Sequence, residues 1–135
     1  MIKKLRHVGI VVRNLDETIA IYENFFGAEL GEIKTTPDQS VRAAILTMGD
    51  DQSIELIEPV DPKGGLAEFL EEKGEGLHHI CFEVDDVDRA LSEADDKGCQ
   101  LIDKEGRKGM FGKIGFLNPD STKGVLIEFI QSPGN

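Results

Sequence analysis

The sequence has 135 residues and carries 26 acidic against 15 basic side chains, which gives a formal net charge of −11. Hydrophobic residues make up 39% of the chain, enough for a compact core and too many for an intrinsically disordered protein. So negative a charge opposes binding to nucleic acid or to an anionic membrane surface, because both partners are themselves polyanions. Length and composition therefore predict a single domain over residues 1–135, built from no more than two small modules.

No segment of the sequence is typical of a membrane span or an export signal. The longest apolar stretch near the start, Val8–Val12, is far shorter than the roughly 20 residues that a membrane helix needs. The basic residues before it are not followed by an apolar signal segment. Cys81 and Cys99 form no disulfide or metal-binding motif, so we expect two reduced, structural thiols. We expect a cytoplasmic protein.

The first half of the chain is predicted to form a strand, a helix and three further strands. The opening strand covers about residues 5–12. Apolar residues at positions 15, 19, 22 and 26 then have the spacing of an amphipathic helix, which Asn14 is expected to begin and Gly27 to end. Strands are predicted at about 29–35, 41–48 and 53–58. These elements make one β-α-β-β-β module over about residues 3–58.

The second half repeats the first after a linker with a short helix, residues 59–76. His79 follows His7 by 72 residues and Glu128 follows Glu55 by 73, and the hydrophobic pattern around them also recurs. The second module, about residues 77–131, has a helix that Gly98 ends, and its later strands are predicted at about 100–104, 113–117 and 125–131. The sequence thus predicts an α+β fold in which two tandem β-α-β-β-β modules form one shared, cupped mixed sheet.

The repeat places two histidines and two glutamates at equivalent strand positions. Side chains alternate along a strand, so His7, His79, Glu55 and Glu128 are predicted to face away from the helices, into a cleft shared by the modules. A buried carboxylate costs several kcal/mol unless a cation or hydrogen bonds compensate. Two imidazoles and two carboxylates suit a divalent ion such as Co²⁺, Mn²⁺, Ni²⁺, Zn²⁺ or Fe²⁺ and leave coordination positions open. We therefore predict a metal site in the cleft.

Each of these residues taken singly has a simpler explanation. The glutamates would then lie in water on strand edges, and the histidines would be hydrogen-bonded core residues. The recurrence of all four at one repeat spacing favours the metal. His78 faces the helix side and is expected to be structural or to hydrogen-bond a residue that binds the metal. Glu83 is expected to be a solvated carboxylate, with a place at the rim of the cleft as the alternative.

Four segments carry a family resemblance: residues 5–12, 54–59, 74–86 and 121–128. In these segments and in its doubled module, the chain resembles the methylmalonyl-CoA epimerases of the vicinal oxygen chelate superfamily, which also includes glyoxalase I. The pair His78-His79 running into Val84-Asp85-Asp86 is the most specific part. The resemblance implies a metal-dependent enzyme that epimerises methylmalonyl-CoA at C2 by removing and returning the α-proton through a metal-stabilised enolate.

The resemblance also implies roles for individual residues. His7, Glu55, His79 and Glu128 would bind the metal, with Co²⁺ expected ahead of Mn²⁺, Ni²⁺ and Zn²⁺, and Glu128 and Glu55 would carry the proton. A homodimer and a small acyl-CoA substrate are implied as well. The chain departs from the family in having Ala43 where some epimerases have a glutamate assigned as base, and further departures are Met110, Phe111, Asn118 and Asp120.

A basic segment is the candidate contact for the phosphates of CoA. Residues 101–123 hold five bases and three acids in a chain that is otherwise strongly acidic. We predict that Arg107, Lys108 and Lys113 bind the substrate, and a solvated basic loop is the alternative. Two other functions stay open: a glyoxalase I-like isomerase or lyase acting on a thiol hemithioacetal, and a non-catalytic small-molecule-binding module.

Overall fold

The computed structural model describes residues 2–38, 40–50 and 52–131, and its strands form one mixed sheet beside three α helices. The elements in chain order are β1 (Ile2–Val11), α1 (Leu15–Phe26), β2 (Glu29–Thr35), β3 (Val41–Met48), β4 (Gln52–Pro59), α2 (Gly65–Lys73), β5 (Gly76–Val84), α3 (Val87–Asp96), β6 (Arg107–Lys108), β7 (Lys113–Leu117) and β8 (Ile127–Gln131). The sheet order is β2-β3-β4-β1-β5-β8-β7-β6. The predicted α+β class and single mixed sheet are confirmed. Within the described ranges, no helix has the length and apolar character that a membrane crossing requires.

One compact unit spans residues 7–78. Helix α1 begins where the Asn14 side chain accepts a hydrogen bond from the backbone N–H of Glu17, and it ends at Gly27, which has a φ of 68°. Strand β4 pairs in parallel with β1 and antiparallel with β3. The core of this unit lies between α1 and the sheet and consists of Val12, Leu15, Ile19, Ala28, Ala44, Leu46 and Leu56. The helix-facing side of the first module was therefore predicted correctly.

Within the described residues, the other compact unit consists of residues 2–6 and 79–131. Strand β8 pairs in parallel with β5 and antiparallel with β7, which repeats the strand arrangement of the first half. Its core lies between α3 and the sheet and consists of Val84, Val87, Ala90, Leu91, Leu117, Ile127 and Phe129. Neither cysteine forms a disulfide in the described part of the chain, and Cys81 is buried while Cys99 is half-buried.

The duplication extends to the way each long helix starts. Glu58, at the end of β4, accepts a hydrogen bond from the backbone N–H of Leu15 at 3.1 Å. Gln131, 73 residues later at the end of β8, accepts one from the backbone N–H of Val87 at 2.8 Å. Each acceptor satisfies a helix-start N–H that has no partner within its own helix.

The strand predicted at about residues 100–104 is wrong. Only Leu101 forms a bridge, to Leu117 of β7. Beyond it, the Asp103 carboxylate accepts the backbone N–H of Phe116 at 2.9 Å, so a side chain occupies a donor of β7 that a strand would have used. The short strand β6 pairs with β7 instead, further along the chain. Strand β8 also starts later than predicted, after a turn in which Gly124 has a φ of 90°.

Candidate metal centre

The first histidine and glutamate of the repeat form a buried pair. Glu55 lies in register with Gly9 of β1, two residues beyond His7, and with Ile45 of β3 on its other side. The Nε2 atom of His7 is 3.3 Å from Oε1 of Glu55. Glu55 is 8% exposed, so it does not lie in water as the simpler explanation of a solvated strand edge requires, and His7 is 4% exposed.

The second histidine and glutamate form an equivalent pair. Glu128 lies in register with Cys81 of β5, two residues beyond His79, and with Phe116 of β7 on its other side. The Nε2 atom of His79 is 3.2 Å from Oε1 of Glu128. The exposed fractions are 5% for His79 and 6% for Glu128. The two halves thus present the same pair with nearly the same spacing.

The alternation of strand side chains explains why these four groups are separated from the helices. Their strand neighbours Ile54, Leu56, Ile127 and Phe129 belong to, or pack on, the two helix-side cores. Each histidine and glutamate therefore points to the opposite face of the sheet. Each pair offers one buried imidazole and one buried carboxylate, donor types that suit a divalent metal ion. The chemistry of the residues present fits such an ion.

The sequence missed the environment of one further buried carboxylate. Glu83 is 7% exposed, where a solvated carboxylate was expected. Its Oε1 accepts a hydrogen bond from Nη1 of Arg6 at 2.7 Å, and the ammonium groups of Lys3 and Lys4 lie 3.8 and 4.0 Å from its carboxylate oxygens. Basic residues from β1 thus compensate the buried charge. His78 is not a candidate ligand here, since its ring packs edge-on against Phe69 with a centroid distance of 4.9 Å.

The predicted substrate-binding cations differ in their surroundings. The Nζ atom of Lys113 donates a hydrogen bond to Oδ2 of Asp88 at 2.5 Å. This hydrogen bond holds the pKa of the Asp88 carboxyl below its usual 3.8 and raises the pKa of Lys113 above 10.5. The pair repeats that of Arg42 and Asp16, at 3.3 Å, so it has a structural counterpart in the first half of the chain. Lys108 is exposed.

Arg107 takes part in two contacts within its own unit. Its Nε donates to Asp103 at 3.2 Å, and its guanidinium carbon lies 5.5 Å from the ring centroid of Phe116. More than half of the Arg107 side chain is nevertheless exposed, so it can still meet a ligand.

Two of the departures from the family pattern have a local structural explanation. Ala43 is fully buried and lies in register with Ile57. Its methyl side chain supplies no titratable group at that position. The Asn118 side chain accepts the backbone N–H of Asp120 at 2.9 Å and begins a 3-10 helix over Pro119–Thr122. Asn118 therefore shapes a turn.

Comparison with known proteins agrees with this arrangement. Residues 6–117 match the model of the Glyoxalase/Bleomycin resistance protein/Dioxygenase superfamily. The chain is 36% identical over 134 residues to the ethylmalonyl-CoA/methylmalonyl-CoA epimerase of Cereibacter sphaeroides, covering 97% of this chain and 99% of that protein. It is 34% identical over 131 residues to the mitochondrial methylmalonyl-CoA epimerase of Bos taurus, covering 96% of this chain and 74% of that protein.

The solved structures lead to the same group. The chain superimposes with a TM-score of 0.93 and 32% identity on a methylmalonyl-CoA epimerase in complex with methylmalonyl-CoA and NH4+, covering 99% of this chain and 97% of that one. These matches confirm the resemblance inferred from the four sequence segments. The chain belongs to the Glyoxalase/Bleomycin resistance protein/Dioxygenase superfamily and, within it, to the family of the methylmalonyl-CoA epimerases.

Proposed function

We propose that this protein is a metal-dependent epimerase that inverts the configuration of methylmalonyl-CoA at C2. The observation that carries the proposal is the pair of buried His–Glu contacts at repeat-equivalent positions, in a chain that belongs to the epimerase family. One ligand atom from each of His7, His79 and Glu128 lies within 4.8 Å of those of the other two, which supports a shared ion. Glu55 is joined to this group through His7.

The proposed ligands are His7, Glu55, His79 and Glu128, and the proposed ion is Co²⁺, with Mn²⁺, Ni²⁺ and Zn²⁺ as substitutes. When bound, a divalent ion stabilises the negative charge that develops on the thioester oxygen as the C2 proton leaves. The neutral imidazoles hold the ion without adding charge. With both carboxylates ionised the donor set has a formal charge of −2, which offsets the charge of the ion, and with one of them protonated for proton transfer it has a charge of −1.

The chain's own proton carriers are Glu128 and Glu55. One carboxylate takes the proton from C2, and the C–H electron pair moves into the thioester as an enolate. The other carboxyl group, protonated beforehand, delivers its proton to the opposite face of C2, so the product has the inverted configuration. The two groups have then exchanged protonation states, and exchange with water restores them. Ala43 leaves no titratable side chain at its position, which favours these two glutamates as the carriers.

Proton NMR of methylmalonyl-CoA in D2O tests the proposal. The cobalt-loaded protein should catalyse loss of the C2 proton signal, and a chelator should abolish the exchange. Glu128→Gln should lower the rate at least about a hundredfold, because general acid–base groups contribute 10²- to 10⁴-fold. Glu93→Gln is the matched control, since Glu93 is partly exposed on α3 and pairs only with a surface arginine in the described contacts.

The other outcomes distinguish the alternatives. Bound cobalt without C2 exchange, together with turnover of a thiol hemithioacetal, would identify a glyoxalase I-like enzyme. Absence of both metal binding and exchange would point to a non-catalytic binding module. Wild-type exchange by Glu128→Gln would refute the role of Glu128. For the substrate contacts, neutralising Arg107 and Lys108 should raise KM for the CoA ester at low salt, and an unchanged KM would refute them.

The proposed homodimer rests on family resemblance alone, and the proposed cytoplasmic location is supported by the similarity to a bacterial epimerase. Sedimentation equilibrium of the purified protein checks the first. A mass twice that of the 14.8 kDa chain is expected, and a monomer would refute it.

A further inference from the structure

The two His–Glu pairs differ in the residue that faces each glutamate across the sheet. Ile45 lies in register with Glu55, whereas Phe116 lies in register with Glu128. Residues directly opposite each other on paired strands point to the same face, so Phe116 shares the face of Glu128. Its ring meets the His79 ring edge-on, with a centroid distance of 6.1 Å and an interplanar angle of 89°. This is the preferred geometry of an aromatic pair.

Phe116 is itself held from two sides by residues of its own unit. The Asp103 carboxylate accepts the backbone N–H of Phe116 through Oδ2 at 2.9 Å and the Nε–H of Arg107 through Oδ1 at 3.2 Å. The same carboxylate therefore positions both the backbone of Phe116 and the guanidinium that lies 5.5 Å from its ring centroid. A cation over an aromatic face stabilises that arrangement. We call Asp103, Arg107 and Phe116 the Phe116 clamp.

We propose that Phe116 is a positioning residue that fixes the ring orientation of His79 and thereby the geometry of the metal site. A ligating imidazole must direct one nitrogen at the ion, and hydrogen-bonding neighbours that fix its ring orientation change metal affinity by about 10- to 100-fold, so we take the lower end of that range for a ring contact. The Phe116 clamp contacts the second His–Glu pair through the ring of Phe116, which packs against His79. On the first pair an aliphatic side chain, Ile45, occupies the equivalent place.

This inference rests on the proposed function, because it assigns a role toward the proposed ion. Phe116→Leu keeps an apolar side chain but removes the ring edge, and Ile45→Val is the matched control in the other half. In Phe116→Leu the Kd for Co²⁺ should rise about tenfold, and the visible absorption of the bound cobalt should change in position or intensity. KM at saturating cobalt should stay within about twofold, as expected for a residue that acts on the ligand and not on the substrate. Ile45→Val should leave both Kd and spectrum as in the wild type.

A second variant guards against loss of the fold. Arg107→Met removes only the guanidinium from the exposed side of the ring and should raise the Kd for Co²⁺ about two- to fivefold, as expected from loss of a weak cation–ring contact. Arg107→Met should cause no further rise in the Kd for Co²⁺ when Phe116→Leu is also present, because the aromatic ring that the guanidinium contacts is then absent. Unchanged Kd and spectrum in folded Phe116→Leu, or equal effects from Ile45→Val, would overturn the inference.

Measurements on the metal-free protein separate this inference from the proposed function. Carbon relaxation of the imidazole rings should show greater mobility of His79, and not of His7, in Phe116→Leu. An equally rigid His79 ring would refute the positioning role even if cobalt binds. Failure of the wild type to bind cobalt would refute the metal site, and the NMR result would still decide whether Phe116 orients His79.

Discussion

The buried carboxylate of Glu83 gives the most direct test of the electrostatics of the fold. The carboxylate oxygens of Glu83 lie 2.7 Å from the guanidinium of Arg6 and 3.8 and 4.0 Å from the ammonium groups of Lys3 and Lys4. Glu83→Gln replaces the carboxylate with an uncharged amide of almost the same shape. Removing one partner of a buried ion pair costs about 3–5 kcal/mol. Because the cations are 29–46% exposed, we reduce this cost to about 2–4 kcal/mol of unfolding free energy.

Thermal unfolding of the metal-free protein provides the assay. An unfolding entropy of about 2.1 cal/mol/K per residue gives about 0.28 kcal/mol/K for 135 residues. The expected loss therefore corresponds to a Tm lower by about 7–14 °C. Arg89→Gln is the control, because the 3.2 Å pair of Arg89 with Glu93 lies on the surface, where the arginine side chain is 79% exposed, and is worth less than about 1 kcal/mol. Equal effects of the two substitutions would refute the argument that burial makes the Glu83 pair strong.

Two further predictions concern packing and a turn. Gly115→Ala would place a Cβ atom 2.7 Å from Cδ1 of the fully buried Leu91, so it should lower the free energy of unfolding by about 1–3 kcal/mol in urea denaturation. Gly65→Ala, where the new methyl group meets nothing within 4 Å, should not, and an equal loss there would contradict the packing argument. Hydrogen bonds, chiefly from the Ser40 side chain, lower the pKa of Asp38 to about 2, so NMR titration should give a midpoint near that value that rises toward 3.8 in Ser40→Ala. The depressed pKa means that the stability contributed by the Asp38 carboxylate is lost as the pH falls below about 3.8, and an unshifted midpoint in Ser40→Ala would contradict this.

Local signals made the helices and most strands predictable. Asn14 and Gly27 act on backbone groups within five residues of themselves, so the ends of α1 follow from the sequence. The strand predicted near residue 103 failed for the opposite reason. No strand forms there because the Asp103 carboxylate accepts a hydrogen bond from the backbone N–H of Phe116. The two residues are 13 positions apart, so no local sequence pattern predicts this contact.

The candidate site was predictable because it is duplicated. The recurrence of His7 and Glu55 as His79 and Glu128, with the same alternation on either side, marks one face of each module. Glu83 has no such counterpart, since its repeat position is Val11. Its burial depends on Arg6, 77 residues away, and the sequence offers no spacing that links the two.

The division of the chain into compact units has a consequence for how the protein can be cut. The chain starts in one unit, crosses into the other at residue 7, and returns at residue 79. Each crossing coincides with a histidine of the proposed metal site, and both crossings lie inside strands, β1 and β5. A fragment ending at residue 78 would therefore keep Ile2–Arg6 while losing Glu83, the buried partner of Arg6. The two halves that look like independent repeats in the sequence are expected to fold only as one chain, or as two fragments supplied together.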